Sequence, residues 1–222
     1  MTVFAILSQR TSHVKAKQAF DHVLSSFSTW RSVHEASPDY LHELIHMTNH
    51  PKVKVERLQG ALRAIDIWCD GNFSLKHLHR MGTEEAMAWL IQLPGVRYKT
   101  GSCTLLMSTT HRRVLPVDTG HTRVMKRLGV IPCSVSWDDA HILLLCLLPG
   151  PWTATDVEMY HDVVKRLSEM VCTEENPRCV HCPLLQMCDT GRRRMAGWED
   201  CDPAQSPKQR RQRVNQLRFC LN

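Results

Sequence analysis

Apolar residues recur every three or four positions along most of the chain, and strict alternation is rare, so the pattern predicts helices rather than strands. Between His13 and Phe27, the residues Ala16, Ala19, Phe20, Val23, Leu24 and Phe27 share one helical face. Asp39–His46 and Val53–Trp68 predict two more helices, parted by "TNHPK". Thr83 is placed to cap a helix with Glu84 and Glu85 in its first turn and Met87, Leu90 and Ile91 on one side. "LPGV" breaks that helix, and Lys99–Ser108 resumes one. "HRRVLPV" reads as an extended linker. Asp118 then precedes a short basic helix, "TGHTRVMKRLG", which Gly129 is expected to stop. Ser136 opens another, with Asp139 three residues on in a variant of the capping box. After "LLPGPW", Val157, Tyr160, Val164, Leu167 and Val171 form a stripe running into Cys172.

Composition narrows this to an all-α protein. With 222 residues and 43 % hydrophobic content, the chain is long enough for one large domain or two small ones with a core. From Thr190 the periodicity dissolves into a segment with eight Lys/Arg against three Asp/Glu, expected to be a flexible basic tail over 190–222. The net charge of +6 points to an anionic partner. No window reaches the roughly 18 apolar residues of a membrane span, and "TVFAIL" is too short for a signal peptide. An intracellular, soluble protein is expected, in the cytoplasm or nucleoid if prokaryotic.

Ten cysteines in a reducing compartment need a reason other than disulfides. Six are scattered: Cys69, Cys103, Cys133, Cys146, Cys201 and Cys220. The other four, in "CTEENPRCVHCPLLQMC", are Cys172, Cys179, Cys182 and Cys188. Short intervening loops let their thiolates converge on one centre. Both zinc and a [4Fe-4S] cluster accept four thiolates. Zinc sites usually show two CxxC knuckles and this segment has one; the uneven spacing suits a cubane, whose iron corners are spread more widely.

"LPGVRYKTGSC" places Pro94 and Gly95 between two predicted helices, a helix-hairpin-helix signal. Such a turn aims successive backbone N–H groups at the start of its second helix, which fits a DNA phosphate. Asp118, 19 residues after Lys99, stands at a helix mouth. Taken alone it reads as a helix cap, and the same geometry suits a carboxylate able to stabilise a cation developing at a sugar C1′. Lys99 is then a candidate amine nucleophile, provided its lone pair is free.

Together, "LPGVRYKTGSC", "VLPVDTGHTRVMKRLGVIP" and "CTEENPRCVHCPLLQMC" resemble endonuclease III and its helix-hairpin-helix DNA glycosylase superfamily, in order and in spacing. "ILSQRTSHVKAKQAF" resembles the family's early helix and the loop after it. The likeness spans roughly residues 3 to 190. It implies a two-lobed all-α fold with DNA between the lobes. A six-helix barrel lobe would cover 1–118, with the hairpin at 84–108. A cluster lobe would cover 119–189, with the four-cysteine loop at 172–188. The chain begins near the family's second helix, so the family's first helix is expected to be missing.

The resemblance also implies roles. Lys99 would be the Schiff-base nucleophile and Asp118 would assist base departure. The target nucleotide would be flipped out of the duplex. Gln9, Arg10, Gly95, Val96 and Arg97 would contact DNA, with Arg10 filling the gap left by the flipped base. Cys172, Cys179, Cys182 and Cys188 would hold a [4Fe-4S] cluster. The expected enzyme is a base-excision-repair glycosylase with AP-lyase activity on oxidised pyrimidines. Its partner would be double-stranded DNA with damaged bases or abasic sites, bound by a monomer without membrane involvement. Arg97 departs from the family pattern by replacing the hairpin's second glycine. Gly120 departs by standing where histidine is common. "LPVDT…R…RLG" also resembles the far longer plant demethylating glycosylases of the DEMETER type, which leaves excision of a modified cytosine open. A non-catalytic DNA-binding or redox-sensing module would have lost Lys99 or Asp118, and both are present.

Overall fold

The computed structural model describes residues 1–197. All regular structure among them is helical, as the periodicity predicts. The chain divides into two compact units, Met1–Arg112 and one beginning at Arg113.

The first unit holds α1 (Thr2–Leu7), α2 (His13–Ser26), α3 (Trp30–Glu35), α4 (Pro38–Ile45), α5 (Pro51–Trp68), α6 (Thr83–Leu90) and α7 (Tyr98–Leu106). Leu7, Ala19, Val23, Val33, Leu41, Ile45, Val55, Leu58 and Leu62 form its core. They come from five helices, so each helix hides one stripe against the others. On α2 the buried face is narrower than the sequence implies: Ala16, Ala19 and Val23 are fully buried, whereas Leu24 is exposed. Phe20 lies at the margin of that face and stacks on Trp30 of α3. Helix α6 corrects one expectation. Gly82, not Thr83, is its N-cap, because the Glu85 carboxylate reaches back to accept from Gly82 N at 3.2 Å. Arg112 closes the unit by donating to the carbonyls of Leu78 at 2.7 Å and Met81 at 2.6 Å.

The second unit opens on an extended stretch whose Val114, Leu115 and Val117 are buried, so "HRRVLPV" contributes to a core rather than merely linking. Helices α8 (Thr119–Arg127), α9 (Trp137–Cys146) and α10 (Ala154–Met170) follow, capped by Asp118, Ser136 and Thr153. Gly129 has φ 74°, the left-handed conformation that stops α8. The inward stripe of α10 is Val157, His161, Val164 and Ser168, not the all-apolar stripe expected. Tyr160, Leu167 and Val171 flank it, half-buried.

Ser168 explains the departure at Gly120. A Cβ on Gly120 would lie 2.8 Å from Ser168 Cβ and closer still to its hydroxyl. No side chain fits there without parting α8 from α10, the most extensively packed helix pair in the structure. Gly120→Ala is expected to destabilise the fold by about 2 kcal/mol, and Ser168→Gly in the same chain to recover most of it. Urea unfolding of the three variants checks this.

The expected tail begins too early. Residues Asp189–Met195 form a helix, α11, because Cys188 Sγ accepts from Gly191 N at 3.2 Å and caps it. The rest of the basic segment, from Trp198, lies outside the described residues.

Candidate functional site

In the first unit, α6 and α7 form the hairpin read from "LPGV". Gly95 has φ 76°, which an L side chain rarely adopts. Its space is also taken: an added Cβ would fall 2.6–2.7 Å from Cβ, Cγ and Cδ of Arg57, whose stem lies over the turn. Pro94 packs on Gly60 of the same helix, where a Cβ would approach Pro94 Cβ to 3.1 Å. The hairpin tip is thus seated on α5 at two glycines. Gly95→Ala is expected to cost about 2 kcal/mol in unfolding free energy, from strain and overpacking together. Arg97 is exposed and stands at the N-cap position of α7, with no side-chain bond to the helix amides. Lys99, half-buried, sits in the first turn of α7. Val96 corrects an expectation. Its side chain is buried, and its N–H donates to Leu93 O at 3.0 Å to close the turn. Neither is available to a phosphate.

The loop between α1 and α2 lies against this hairpin. Arg10 is exposed, with φ 52°. Its carbonyl accepts from Asn49 Nδ2 at 2.5 Å. Thr11 Oγ1 accepts from Asn49 N at 3.0 Å and from Lys54 Nζ at 2.5 Å. Lys54 Nζ also donates to Leu7 O at 2.6 Å, and the residue is 2 % exposed. Burial, with Arg57 nearby, brings its ammonium down to about 8. Gln9 faces inward too, donating to Gly95 O at 2.8 Å and Thr100 Oγ1 at 3.1 Å while accepting from Arg57 Nη1 at 2.6 Å.

In the second unit, Asp118 caps α8, and its Oδ1 accepts from His121 N at 2.9 Å. The His121 ring is fully buried. Its Nε2 is 3.2 Å from the Tyr160 hydroxyl, and the ring stacks on His161 at 6.2 Å. Burial drives its pKa down to about 4; His161 and His141 lower it further, and Asp118 opposes them. Burial also pushes Tyr160 up to about 12.

Cys172, Cys179, Cys182 and Cys188 line one pocket. Arg127, itself buried, holds the start of the loop by donating to Thr173 O at 2.6 Å, Glu174 O at 2.8 Å and Cys172 Sγ at 3.5 Å. Gly191 N donates to Cys188 Sγ, and a Cβ on Gly191 would press on Leu185 at 3.1 Å and on that sulfur at 3.4 Å. Burial raises the Cys179 thiol, and the neighbouring Cys172 raises it further. Among the described residues, no group of three or more His, Cys, Asp or Glu side chains is arranged to hold a metal ion. The donor set is nonetheless soft and clustered, and N–H groups of Gly191 and Arg127 reach its sulfurs, which fits a thiolate-held metal centre.

The model of the HhH-GPD superfamily base excision DNA repair proteins matches residues 3–136, from α1 to the start of α9. The chain belongs to that superfamily. Within it, the chain is 26 % identical over 199 residues to endonuclease III of Thermotoga maritima, covering 88 % of this chain and 84 % of that one. It is 24 % identical over 173 residues to the DNA glycosylase/AP lyase ROS1 of Arabidopsis thaliana, covering 72 % of this chain but only 12 % of ROS1. An endonuclease III–DNA complex shares the fold, with a TM-score of 0.73 at 20 % identity over 88 % of this chain and 84 % of that one. The HhH-GPD chain is a DNA glycosylase of base excision repair.

Within this HhH-GPD chain, the residues read from the sequence fall into three places. Gln9, Arg10, Gly95, Arg97 and Lys99 gather around the hairpin of the first unit. Asp118 caps a helix in the second unit, and the four cysteines share a pocket there. Arg57, Asn49 and Lys54 went unread. A signal existed for Lys54, which shares a face of α5 with Leu58, Ala61 and Ile65 and so occupies a core position.

Proposed function

We propose that this glycosylase excises oxidised pyrimidines and then cleaves the strand as an AP lyase. The observation that carries the reading is the half-buried Lys99, set in the first turn directly after a hairpin whose turn requires glycine. The Lys99 amine attacks C1′ as the C1′–N bond breaks and the base departs. Loss of the amine's proton and opening of the sugar ring give an imine. Loss of a C2′ proton then expels the 3′ phosphate by β-elimination. Asp118, ionised beside the amides that open α8, stabilises positive charge developing on the sugar. Gly95 and Arg97 grip phosphate, and Arg10 enters the duplex where the base has left. Cys172, Cys179, Cys182 and Cys188 hold a [4Fe-4S] cluster, which when bound orders the loop they lie on. Iron and inorganic sulfide are expected at about four each per chain; stoichiometric zinc without iron overturns the cofactor assignment.

Borohydride trapping on abasic-site duplex tests the lyase reading. A covalent adduct is the expected result, and its absence with wild-type protein removes the assignment. A panel of duplexes, each carrying one lesion, tests the base preference. A second reading, excision of a modified cytosine, is favoured by the match to a plant glycosylase/AP lyase. It predicts cleavage of the modified-cytosine duplex in preference to those with oxidised pyrimidines. Because the grip is on phosphates, the duplex affinity is expected to fall steeply between about 50 and 200 mM salt, by on the order of tenfold for every two phosphates neutralised.

A further inference from the structure

Gln9 uses its whole carboxamide within the protein. Both amide hydrogens are taken, one by Gly95 O and one by Thr100 Oγ1, and the amide oxygen accepts from Arg57. A flipped amide would set oxygen against the Gly95 carbonyl and NH2 against the guanidinium, so one orientation is enforced. Each partner belongs to the hairpin or to the helix that seats it. Gly95 is the turn, Thr100 lies in α7, and the Arg57 stem covers Gly95. The backbone of Gln9, in contrast, belongs to the loop that presents Arg10. That loop is fixed from its other side by Asn49 and Lys54.

We propose that Gln9 is a positioning residue, whose side chain splints the hairpin turn to the Arg10 loop and so sets the spacing between phosphate grip and wedge. This rests on the roles assigned above to the hairpin and Arg10, but the splint itself has a reporter that needs no DNA. The Val96 N–H closes the turn on Leu93 O, and its hydrogen exchange reads how firmly the turn is held. Gln9→Ala removes all three bonds. Gln9→Glu keeps an acceptor for Arg57 but puts an oxygen against the Gly95 carbonyl. Thr100→Val removes one bond only and serves as the mild variant.

In the free protein, Val96 exchange is expected to quicken about tenfold in Gln9→Ala and Gln9→Glu, and less in Thr100→Val. Amides of α8 and α10 should be unchanged. With duplex carrying a stable abasic analogue, Gln9→Ala should raise Kd about tenfold, while the rate at saturating enzyme stays within about threefold. Arg10→Ala should weaken binding in the wild-type chain and add less than about twofold in the Gln9→Ala chain, since the two residues then act as one unit. Unchanged Val96 exchange in both Gln9 variants overturns the splint. So does an Arg10→Ala effect that multiplies undiminished with that of Gln9→Ala, which would mark Gln9 as a separate DNA contact. If the wild-type protein binds no abasic duplex, the functional reading falls, and the Val96 exchange alone still decides the splint.

Discussion

With Lys99 replaced by glutamine, strand scission at abasic sites is expected to fall by about 10³-fold or more, and the borohydride adduct to vanish. Glutamine keeps the length and polarity of the side chain but cannot form an imine. Duplex affinity should change little, because the hairpin grip is made by Gly95 and Arg97. One competing amine stands in the same unit. Lys54, brought down to about 8, is by acidity an attractive nucleophile. Its placement decides against it: the residue is 2 % exposed, and its ammonium is held by Leu7 O and Thr11 Oγ1. Lys54→Gln should therefore lower stability and loosen the Arg10 loop while leaving the adduct chemistry intact. Trapping that survives in Lys99→Gln and disappears in Lys54→Gln would reverse the assignment. Gel analysis of both variants under borohydride separates the two outcomes.

How much of this was legible in the sequence depended on the length of each signal. Long amphipathic helices such as α5 and α10 announce themselves, because several turns of apolar spacing survive local exceptions. Helices α3 and α11 span six and seven residues. That is under two turns, too few for a period, and caps define them: Thr29 with Ser32 for α3, Cys188 with Gly191 for α11. Asp118 read as a helix cap from sequence, and its bond to His121 N bears that out. The hidden part is what one element does to another. Gly120 departs from the family pattern for a reason that lies on another helix: Ser168 stands where its side chain would be. Gln9 looked like a DNA contact, and only tertiary structure shows its amide engaged by the hairpin. Val96 belonged to an exposed turn by position, yet the turn hides both its side chain and its N–H.

Acid is expected to unfold the second unit earlier than a protein of ordinary histidines, and His121 accounts for much of the difference. An exposed histidine in the unfolded chain takes a proton near pH 6.5, whereas the native His121 resists until about 4. Above pH 6.5 the ring is neutral in both states and contributes no pH dependence. Between 6.5 and about 4 the unfolded chain binds a proton that the native chain refuses, so stability falls by about 3 kcal/mol over that window. The groups around the ring explain the resistance. Burial acts first, the neighbouring His161 and His141 disfavour a charge on the ring further, and the Asp118 carboxylate offsets this only partly. Tyr160, pushed up to about 12, stays neutral throughout and supplies no compensating charge. His121→Gln cannot titrate, and its acid limb should be flatter by about that amount even if the variant is less stable at pH 7. Urea unfolding of both proteins at pH 7, 6, 5 and 4 measures the slopes, and parallel limbs would sink the argument.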